Sequence, residues 1–326
     1  MAYRYYEEKL PPCDRDAYRA LLRGLSSYER QFSAPRLDTS RLGEIFSMVK
    51  LDRPLVFGVE RLSFTYFDSS ANVTVKPVYT MKKQEYMNTL EIVRKRVKKI
   101  LAPAEGMSVF EKEKYIHDYI VKNVRYDRLT KGYSHEVTGP LCHGIGVCEG
   151  MAKTFKLLCD ESGIDSLVCT GIGVPPDVST GKKSERHAWN VVFLSGVPYG
   201  VDVTFDASLS RDTVRYDYFN VPDSVMFRDH GELDFPAPKC VSGDRDQYQS
   251  IDDVNGIESA LLSASKGSHT AAFRIRTVPG AEELKEKILE VTRSDSKLRR
   301  FGSFSFSINQ TSGVVAVTFK APPGGE

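Results

Sequence analysis

The sequence predicts an α+β fold, in which helices and antiparallel strands occupy separate stretches of the chain. Apolar residues recur with the helical period in residues 14–28, 83–101 and 149–162. Between and after these helices, apolar residues alternate along short segments that turn residues separate. The length of 326 residues is enough for about two domains.

The N-terminal third is predicted to contain helices around one β-hairpin. Residues 14–28 form an amphipathic helix, and residues 39–49 a second, shorter one. Residues 83–101 form a third, whose basic face we expect to be solvated. The hairpin is indicated by alternating apolar residues on both sides of a turn at 68–72, namely Leu62, Phe64 and Tyr66 before it and Val73 and Val75 after it.

The central part carries the clearest succession of elements. A capping box, Ser108 with Glu111, begins a helix that extends to about Asn123. The helix at 149–162 ends before Gly163. Ser195-Gly196 predicts a tight turn between the last two of three extended segments, which are 166–174, 187–194 and 199–205. We expect the polar stretch 175–186 to be a mobile loop beside the candidate site.

The C-terminal part is predicted to form a separate small unit. Residues 231–250 are polar and contain prolines, which is typical of a linker. A strand at 271–276, a helix at 281–293 and a hairpin at 304–309 and 314–320 follow. We therefore divide the chain into a helix-plus-hairpin extension (1–105), a core (106–235), a linker (236–250) and a small α+β domain (251–326).

The composition argues against several classes of protein. With 45 Lys and Arg against 43 Asp and Glu, the net charge of +2 does not favour nucleic-acid binding. No apolar run reaches the ~18–20 residues that a membrane span needs. Residues 1–12 lack the apolar segment of a secretory signal, so we expect a cytoplasmic protein; a signal removed beforehand would make it secreted or anchored. The six cysteines form no CxxC pair, which predicts reduced thiols.

Three residues have the types and surroundings of a nucleophile, a base and an orienting acid. Cys148 lies where a loop becomes a helix, and the unpaired N–H groups and helix dipole there favour a thiolate. Gly146 and Gly150, on either side, let the backbone and a substrate approach closely. His187 begins a predicted strand, and Asp202 lies on the next one.

The turn between these strands determines whether the side chains meet. If Ser195-Gly196 is a two-residue turn, Asp202 lies opposite Trp189 and diagonal to His187 on the same face of the sheet. A slip of one residue would put them on opposite faces. In the predicted register, Asp202 can hold the ring of His187, which can take the proton of Cys148.

These stretches resemble the transglutaminase-like superfamily, which includes papain-like deamidases, peptidases and peptide N-glycanases. The matching segments are GVCEGMAKTFKLL, RHAWNVV and YGVDVTF, and HDYIVKNVRYD and YFNVPDSVMFRDH are similar to bacterial members. The strong resemblance covers residues 108–230. It implies Cys148 as nucleophile, His187 as general base and Asp202 as orienting carboxylate. It also implies a papain-like core, in which the Cys-bearing helix packs on an antiparallel sheet.

The resemblance also suggests what surrounds the nucleophile. Many bacterial relatives carry an aromatic residue where this chain has Met151, so the pocket wall is expected to differ. Trp189 is expected either to shield the imidazole and line the acyl site or to pack in the core. The backbone N–H of Cys148 is the natural oxyanion donor, and a second donor would come from the loop between Tyr133 and Val147.

Other assignments have less support. Asp206 is the rival orienting acid, and His117, among apolar neighbours, is expected to be structural. A metal site built from Cys142, His143 and Cys148 fits no common zinc spacing. No EF-hand or nucleotide-binding loop occurs, so we expect a cofactor-free protein without a bound metal.

The expected reaction begins with attack of the Cys148 thiolate on a carboxamide carbonyl of a protein or peptide, which gives a thioester. Transfer to a lysine amine would make the protein a transglutaminase, and transfer to water a deamidase or a peptidase. Two alternatives stay open: a cysteine peptidase acting on peptides or cell-wall peptides, and a non-catalytic scaffold that keeps the fold for binding.

Overall fold

The chain folds around a five-stranded antiparallel sheet that helices cover, which confirms the predicted α+β class. The computed structural model describes residues 3–176, 184–264, 270–299 and 303–320. Most of the loop that we predicted at 175–186 lies outside the described residues. No helix within these ranges is both long and apolar enough to cross a membrane.

The regular elements have the following bounds. The helices are α1 (Tyr5–Lys9), α2 (Pro12–Ser26), α3 (Thr39–Asp52), α4 (Lys83–Leu101), α5 (Val109–Asn123), α6 (Cys148–Glu161), α7 (Val203–Leu209), α8 (Asp223–Met226), α9 (Ile257–Ala264) and α10 (Ala281–Ser294). The strands are β1 (Phe32–Pro35), β2 (Val59–Tyr66), β3 (Asn72–Tyr79), β4 (Arg125–Tyr126), β5 (Ile145–Gly146), β6 (Ser166–Gly173), β7 (Glu185–Leu194), β8 (Val197–Val201), β9 (Phe219–Val221), β10 (His230–Gly231), β11 (Gln249–Ile251), β12 (Thr270–Ile275), β13 (Ser303–Asn309) and β14 (Val314–Lys320).

The central sheet has the order β10-β6-β7-β8-β9, and α6 packs on β6 and β7. The hairpin between β7 and β8 turns at Ser195 and Gly196, with φ values of 53° and 80°. Positive φ at both central residues is the geometry of a two-residue type I′ turn. Leu194 therefore pairs with Val197, which confirms the predicted register.

One predicted strand is wrong at its end. The sequence predicted an extended segment at 199–205, but β8 ends at Val201 and the chain continues into helix α7. Asp202 causes the change, because its side chain accepts hydrogen bonds from the backbone N–H groups of Thr204 (2.8 Å) and Phe205 (3.1 Å). An aspartate in this position is a strong helix N-cap.

The N-terminal elements cover one side of the sheet. The predicted helices and hairpin are present as α2, α3, α4 and β2-β3, whereas α1 and β1 were not predicted. Tyr6 and Tyr18 are buried in one apolar cluster with Trp189 of β7. The Asp52 carboxylate anchors α1, because it accepts hydrogen bonds from the backbone N–H groups of Tyr6 (3.0 Å) and Glu7 (3.1 Å).

The other side of the sheet packs on α4, α5 and α6. Their apolar residues, among them Val93, Ile116 and Phe155, share a buried cluster with Val192 of β7. Helix α5 begins with the predicted capping box, in which Ser108 and Glu111 bond reciprocally. The basic side chains of α4 at positions 94–96, 98 and 99 are exposed, as expected.

The C-terminal residues form a second sheet of order β11-β12-β14-β13 with its own apolar cluster against α9 and α10. The predicted strand, helix and hairpin are present, and α9 and β11 are additional. Several side chains of this C-terminal part bond with core residues; for example, the guanidinium of Arg274 donates to the Asp217 carbonyl at 2.9 Å, and Asn309 Nδ2 donates to the Tyr218 hydroxyl at 3.1 Å. The proposed domain boundaries stay a prediction.

Candidate active site

Cys148 is the first residue of α6 and is partly exposed. Strand β5 leads into it, and the backbone N–H of Val147 donates to the Ser134 carbonyl at 3.0 Å, which fixes the chain just before the thiol. The first N–H groups of a helix have no partner within the helix and carry partial positive charge. The Sγ atom therefore lies where an anionic sulfur or an oxyanion is stabilised.

His187 is the third residue of strand β7, and only 9% of its surface is exposed. Its Nε2 lies 2.6 Å from Oδ2 of Asp202, so Nδ1 is the nitrogen left to interact with the Cys148 thiol. Burial alone would lower the pKa of His187. The Asp202 charge and hydrogen bond, followed by the contact with Cys148, outweigh it and raise the pKa of His187 to about 10.

Asp202 is fully buried between β8 and α7. Its Oδ1 caps α7, and its Oδ2 accepts the hydrogen bond from His187. Burial raises the pKa of this carboxyl, but the charge and hydrogen bond of His187, and then those of His230, hold it well below its usual range. Asp202 therefore stays a carboxylate and fixes both the tautomer and the orientation of His187.

Aromatic rings enclose the imidazole. Phe205 stacks on His187 with ring centroids 4.4 Å apart, and Trp189 lies parallel to it at 6.2 Å. Trp189 is 2% exposed, so it belongs to the core and the shield of the imidazole at once. Gly173 leaves the space for the ring, because a Cβ atom there would lie 2.9 Å from the Cβ, Cγ and Cδ2 atoms of His187.

Of the remaining predicted pocket residues, Met151 lines the cavity beside His187, whereas Gly146 and Gly150 pack against other parts of the protein. Met151 is buried and, with His187, lines a cavity of about 600 Å³. Gly150 allows a close backbone approach, since a Cβ atom there would lie 2.1 Å from the Ser134 carbonyl oxygen. A Cβ atom on Gly146 would meet the ring of Pro140 at 2.8 Å. Both glycines thus contact protein atoms.

His230 of β10 was not predicted as a site residue. Its Nε2 lies 3.0 Å from Oδ2 of Asp202, and its Nδ1 lies 2.7 Å from Oδ1 of Asp229 and 3.0 Å from the Met226 carbonyl. Since both nitrogens face acceptors, the arrangement favours the imidazolium form of the ring. Burial lowers the pKa of His230, but the hydrogen bonds of Asp202 and Asp229 raise it above its usual value.

The hydrogen-bonded chain continues beyond His230. The Tyr218 hydroxyl donates to Oδ2 of Asp229, and Asn309 of β13 donates to that hydroxyl. Tyr218, Asp229 and His230 lie in the segment YFNVPDSVMFRDH that is similar to bacterial members, but none of them was predicted to have a role. The pairing of β10 with β6, which brings His230 opposite Gly173, is what moves the imidazole behind Asp202.

The alternative site residues, Asp206 and His143, contact other groups. Asp206 lies on α7, where its Oδ2 is 3.1 Å from Nε2 of the fully buried His117, so this pair is separate from His187. The Tyr218 N–H also donates to Asp206. His143 lies against the ring of Tyr133, with centroids 4.4 Å apart.

Among the described residues, one group has the spacing of a metal site. One ligand atom each from His187, Asp202 and His230 lie within 4.8 Å of one another. Both imidazoles, however, contact the same carboxylate oxygen at hydrogen-bond distance, which uses the lone pairs and protons that a metal would replace. The donor set therefore fits a hydrogen-bonded network.

Residues 94–203 match the family model of the Transglutaminase-like superfamily. This stretch runs from α4 through Cys148 and His187 to one residue past Asp202, and the match confirms the resemblance predicted from the sequence. A search of curated proteins gave no match.

Three solved structures are similar to parts of the chain. A candidate cysteine protease from Cytophaga hutchinsonii is 14% identical with a TM-score of 0.30; the similarity covers 44% of this chain and 61% of that one. A TGase is 11% identical with a TM-score of 0.32, over 68% of this chain and 58% of that one. A candidate protease from Parabacteroides distasonis is 12% identical with a TM-score of 0.24, over 43% and 35%. The chain thus spans less than two thirds of each.

Proposed function

We propose that this chain is a transglutaminase-like thiol acyltransferase or amidohydrolase that acts on carboxamides of proteins or peptides. One observation carries the proposal: Cys148 lies at a helix start and interacts with the buried His187, whose Nε2 is hydrogen-bonded to the buried Asp202. A nucleophile, a base and an orienting group in this order can perform covalent acyl transfer.

In the proposed first half-reaction, the thiolate of Cys148 attacks the carboxamide carbon and the new C–S bond forms. His187, which is protonated at neutral pH because its pKa is raised to about 10, donates its Nδ1 proton to the nitrogen that leaves. The C–N bond breaks, and ammonia or an amine departs. The N–H of Cys148 at the start of α6 is placed to stabilise the oxyanion of the tetrahedral intermediate.

In the second half-reaction, a lysine amine or a water molecule attacks the thioester carbon while His187 takes its proton. The C–S bond breaks, and Cys148 leaves as the thiolate. Throughout, Asp202 holds Nε2 of His187, so that Nδ1 keeps facing the sulfur. The cavity of about 600 Å³ beside His187 offers room for a side chain of the substrate. No step uses a cofactor or a metal ion.

The first test measures alkylation of Cys148 by iodoacetamide against pH, with peptide mass spectrometry as the readout. An isolated thiol reacts as its thiolate near pH ~8.5, whereas an ion-paired one reacts at much lower pH. We expect Cys148 to label rapidly at pH about 6, and the His187→Ala variant to lose this advantage. The exposed Cys13 is the internal control. Equal rates at Cys148 and Cys13 would contradict the proposal.

A second test distinguishes the reactions by which the thioester could be resolved. We expect Cys148-dependent incorporation of a fluorescent amine into casein, or Cys148-dependent release of ammonia from glutaminyl peptides. Cleavage of a peptide panel without either would favour the cysteine peptidase, and no Cys148-dependent turnover would favour the binding scaffold. Treatment with a chelator is expected to leave the activity unchanged.

A further inference from the structure

The cavity beside His187 is lined by more positive than negative side chains. Arginines at positions 125, 128, 186 and 211 line it, against one acid, Glu185. Resting on the function proposed above, we propose that the substrate carries a carboxylate next to the reacting amide, and that Arg125 and Arg128 bind this carboxylate.

The guanidinium groups of these four arginines differ in their interaction partners. Arg186 forms an ion pair with Asp234, and Arg211 donates to the carbonyls of Ser208 and Ser210. Arg125 and Arg128 are exposed, and neither forms an ion pair with any residue of the described ranges. Two guanidinium groups that have no carboxylate partner among the described residues therefore border the cavity that reaches His187.

The backbone holds both arginines at a fixed place relative to the nucleophile. Arg125 lies on β4, where it pairs with Ile145, and Tyr126 pairs with Gly146, only two residues before Cys148. Arg125 therefore projects from a strand that is hydrogen-bonded to the segment leading to the thiol, and Arg128 follows in the turn two residues after that strand.

The turn after β4 is also rigid, which constrains Arg128. The Asp127 N–H donates to the Gly146 carbonyl at 3.0 Å. The Asp127 carboxylate accepts hydrogen bonds from the N–H groups of Leu129 (3.1 Å) and Lys131 (3.0 Å) and from the Ser134 hydroxyl (2.5 Å). The Asp127 carboxylate is thus held by the turn and forms no ion pair with Arg125 or Arg128.

The chemistry of the lining suits a carboxylate. Arginine presents a planar fork that matches the two oxygens of a carboxylate. Tyr126, between the arginines, is exposed and, as a phenol, is protonated at neutral pH, so it can donate a further hydrogen bond. Such a carboxylate could come from an acidic side chain or from the end of a peptide chain.

The test measures peptide binding to the Cys148→Ala variant, so that it does not depend on turnover. Three fluorescent peptides share one glutamine: one with a flanking glutamate and an amidated end, one with neutral flanks and a free carboxyl end, and one neutral and amidated. We expect at least one anionic peptide to bind about fivefold more tightly than the neutral one at low salt. Which of them does so distinguishes the two sources of the carboxylate.

Added substitutions locate the binding site. In the Cys148→Ala background, Arg125→Gln with Arg128→Gln should abolish the advantage of the anionic peptide. Arg94→Gln, an exposed arginine that lines a different cavity, should leave it unchanged. Equal affinities for all peptides, no measurable binding, or an advantage that survives the double substitution would overturn the inference. A failure of the proposed chemistry would instead appear in the alkylation of Cys148, which this experiment does not use.

Discussion

His230 lies behind Asp202, with its Nε2 3.0 Å from the same carboxylate oxygen that His187 contacts from the front at 2.6 Å. One buried oxygen thus lies between two imidazole rings, whose centroids are 5.3 Å apart. Because like charges repel, the imidazolium of His230 and the proton of His187 oppose each other. The negative charge of Asp202 lies between the two rings and stabilises the protonated form of each.

Substitution of His230 should change the titration of His187. His230→Gln keeps an N–H donor near Asp202 but removes the positive charge, so the pKa of His187 should rise. The measurement is an NMR titration of isotopically labelled histidine in the Cys148→Ala background. A purely structural role of His230 would lower the stability of the fold and leave the titration of His187 where it was.

Asp202→Asn should shift the same titration in the opposite direction. The amide cannot supply the negative charge that raises the pKa of His187, whereas burial, which lowers it, remains. The pKa of His187 should therefore fall, and Cys148-dependent turnover should drop by about 10³–10⁴-fold. The amide oxygen can still cap α7, so unfolding curves should resemble those of the unmodified protein. An unchanged rate would remove Asp202 from the proposed mechanism.

Gly173→Ala should displace the imidazole without touching its hydrogen-bond partners. The new methyl group would lie 2.9 Å from three carbons of His187, a distance that real Cβ atoms do not sustain. We expect iodoacetamide labelling of Cys148 at pH about 6 to slow by about tenfold. Gly231→Ala, on the neighbouring strand β10 where a Cβ atom meets nothing within 4 Å, is the matched control. Equal labelling in both variants would contradict the steric argument.

Lys153 is predicted to stabilise the helix that carries the nucleophile. Its fully buried ammonium group lies 2.9 Å from Glu136 and 2.8 Å from Glu149. Lys153→Ala removes this cation, although Glu136 keeps its ion pair with Lys50 at 2.9 Å, and should lower the free energy of unfolding by about 1–3 kcal/mol, measured in urea. Lys95→Ala breaks the solvent-exposed pair with Glu91 and should change this free energy very little.

The sequence predicted the elements whose causes are local. The capping box before α5, the helix start at Cys148 and the turn at Ser195-Gly196 each depend on a few neighbouring residues. The register of β7 and β8 followed from the turn alone, and with it the approach of Asp202 to His187. The family resemblance added the roles that we now propose for these residues.

Two features could not be predicted because competing or distant interactions decide them. In the segment after Tyr199, the apolar residues Val201, Val203 and Phe205 alternate as in a strand, but the capping carboxylate of Asp202 turns the chain into α7. The position of His230 behind Asp202 depends on the two-residue pairing of β10 with β6, which no local pattern predicts.

The hydrogen-bonded chain from Asp202 to Asn309 bears on how small a working piece of this protein can be. The segment that matches the family model ends at residue 203, yet the groups that hold Asp202 from behind lie at His230, Asp229 and Tyr218, and the last donor is Asn309 in the C-terminal sheet. A fragment trimmed to the matching segment would keep the three candidate side chains and lose their support. We therefore expect the smallest fragment with the proposed activity to be larger than the segment that matches the family model.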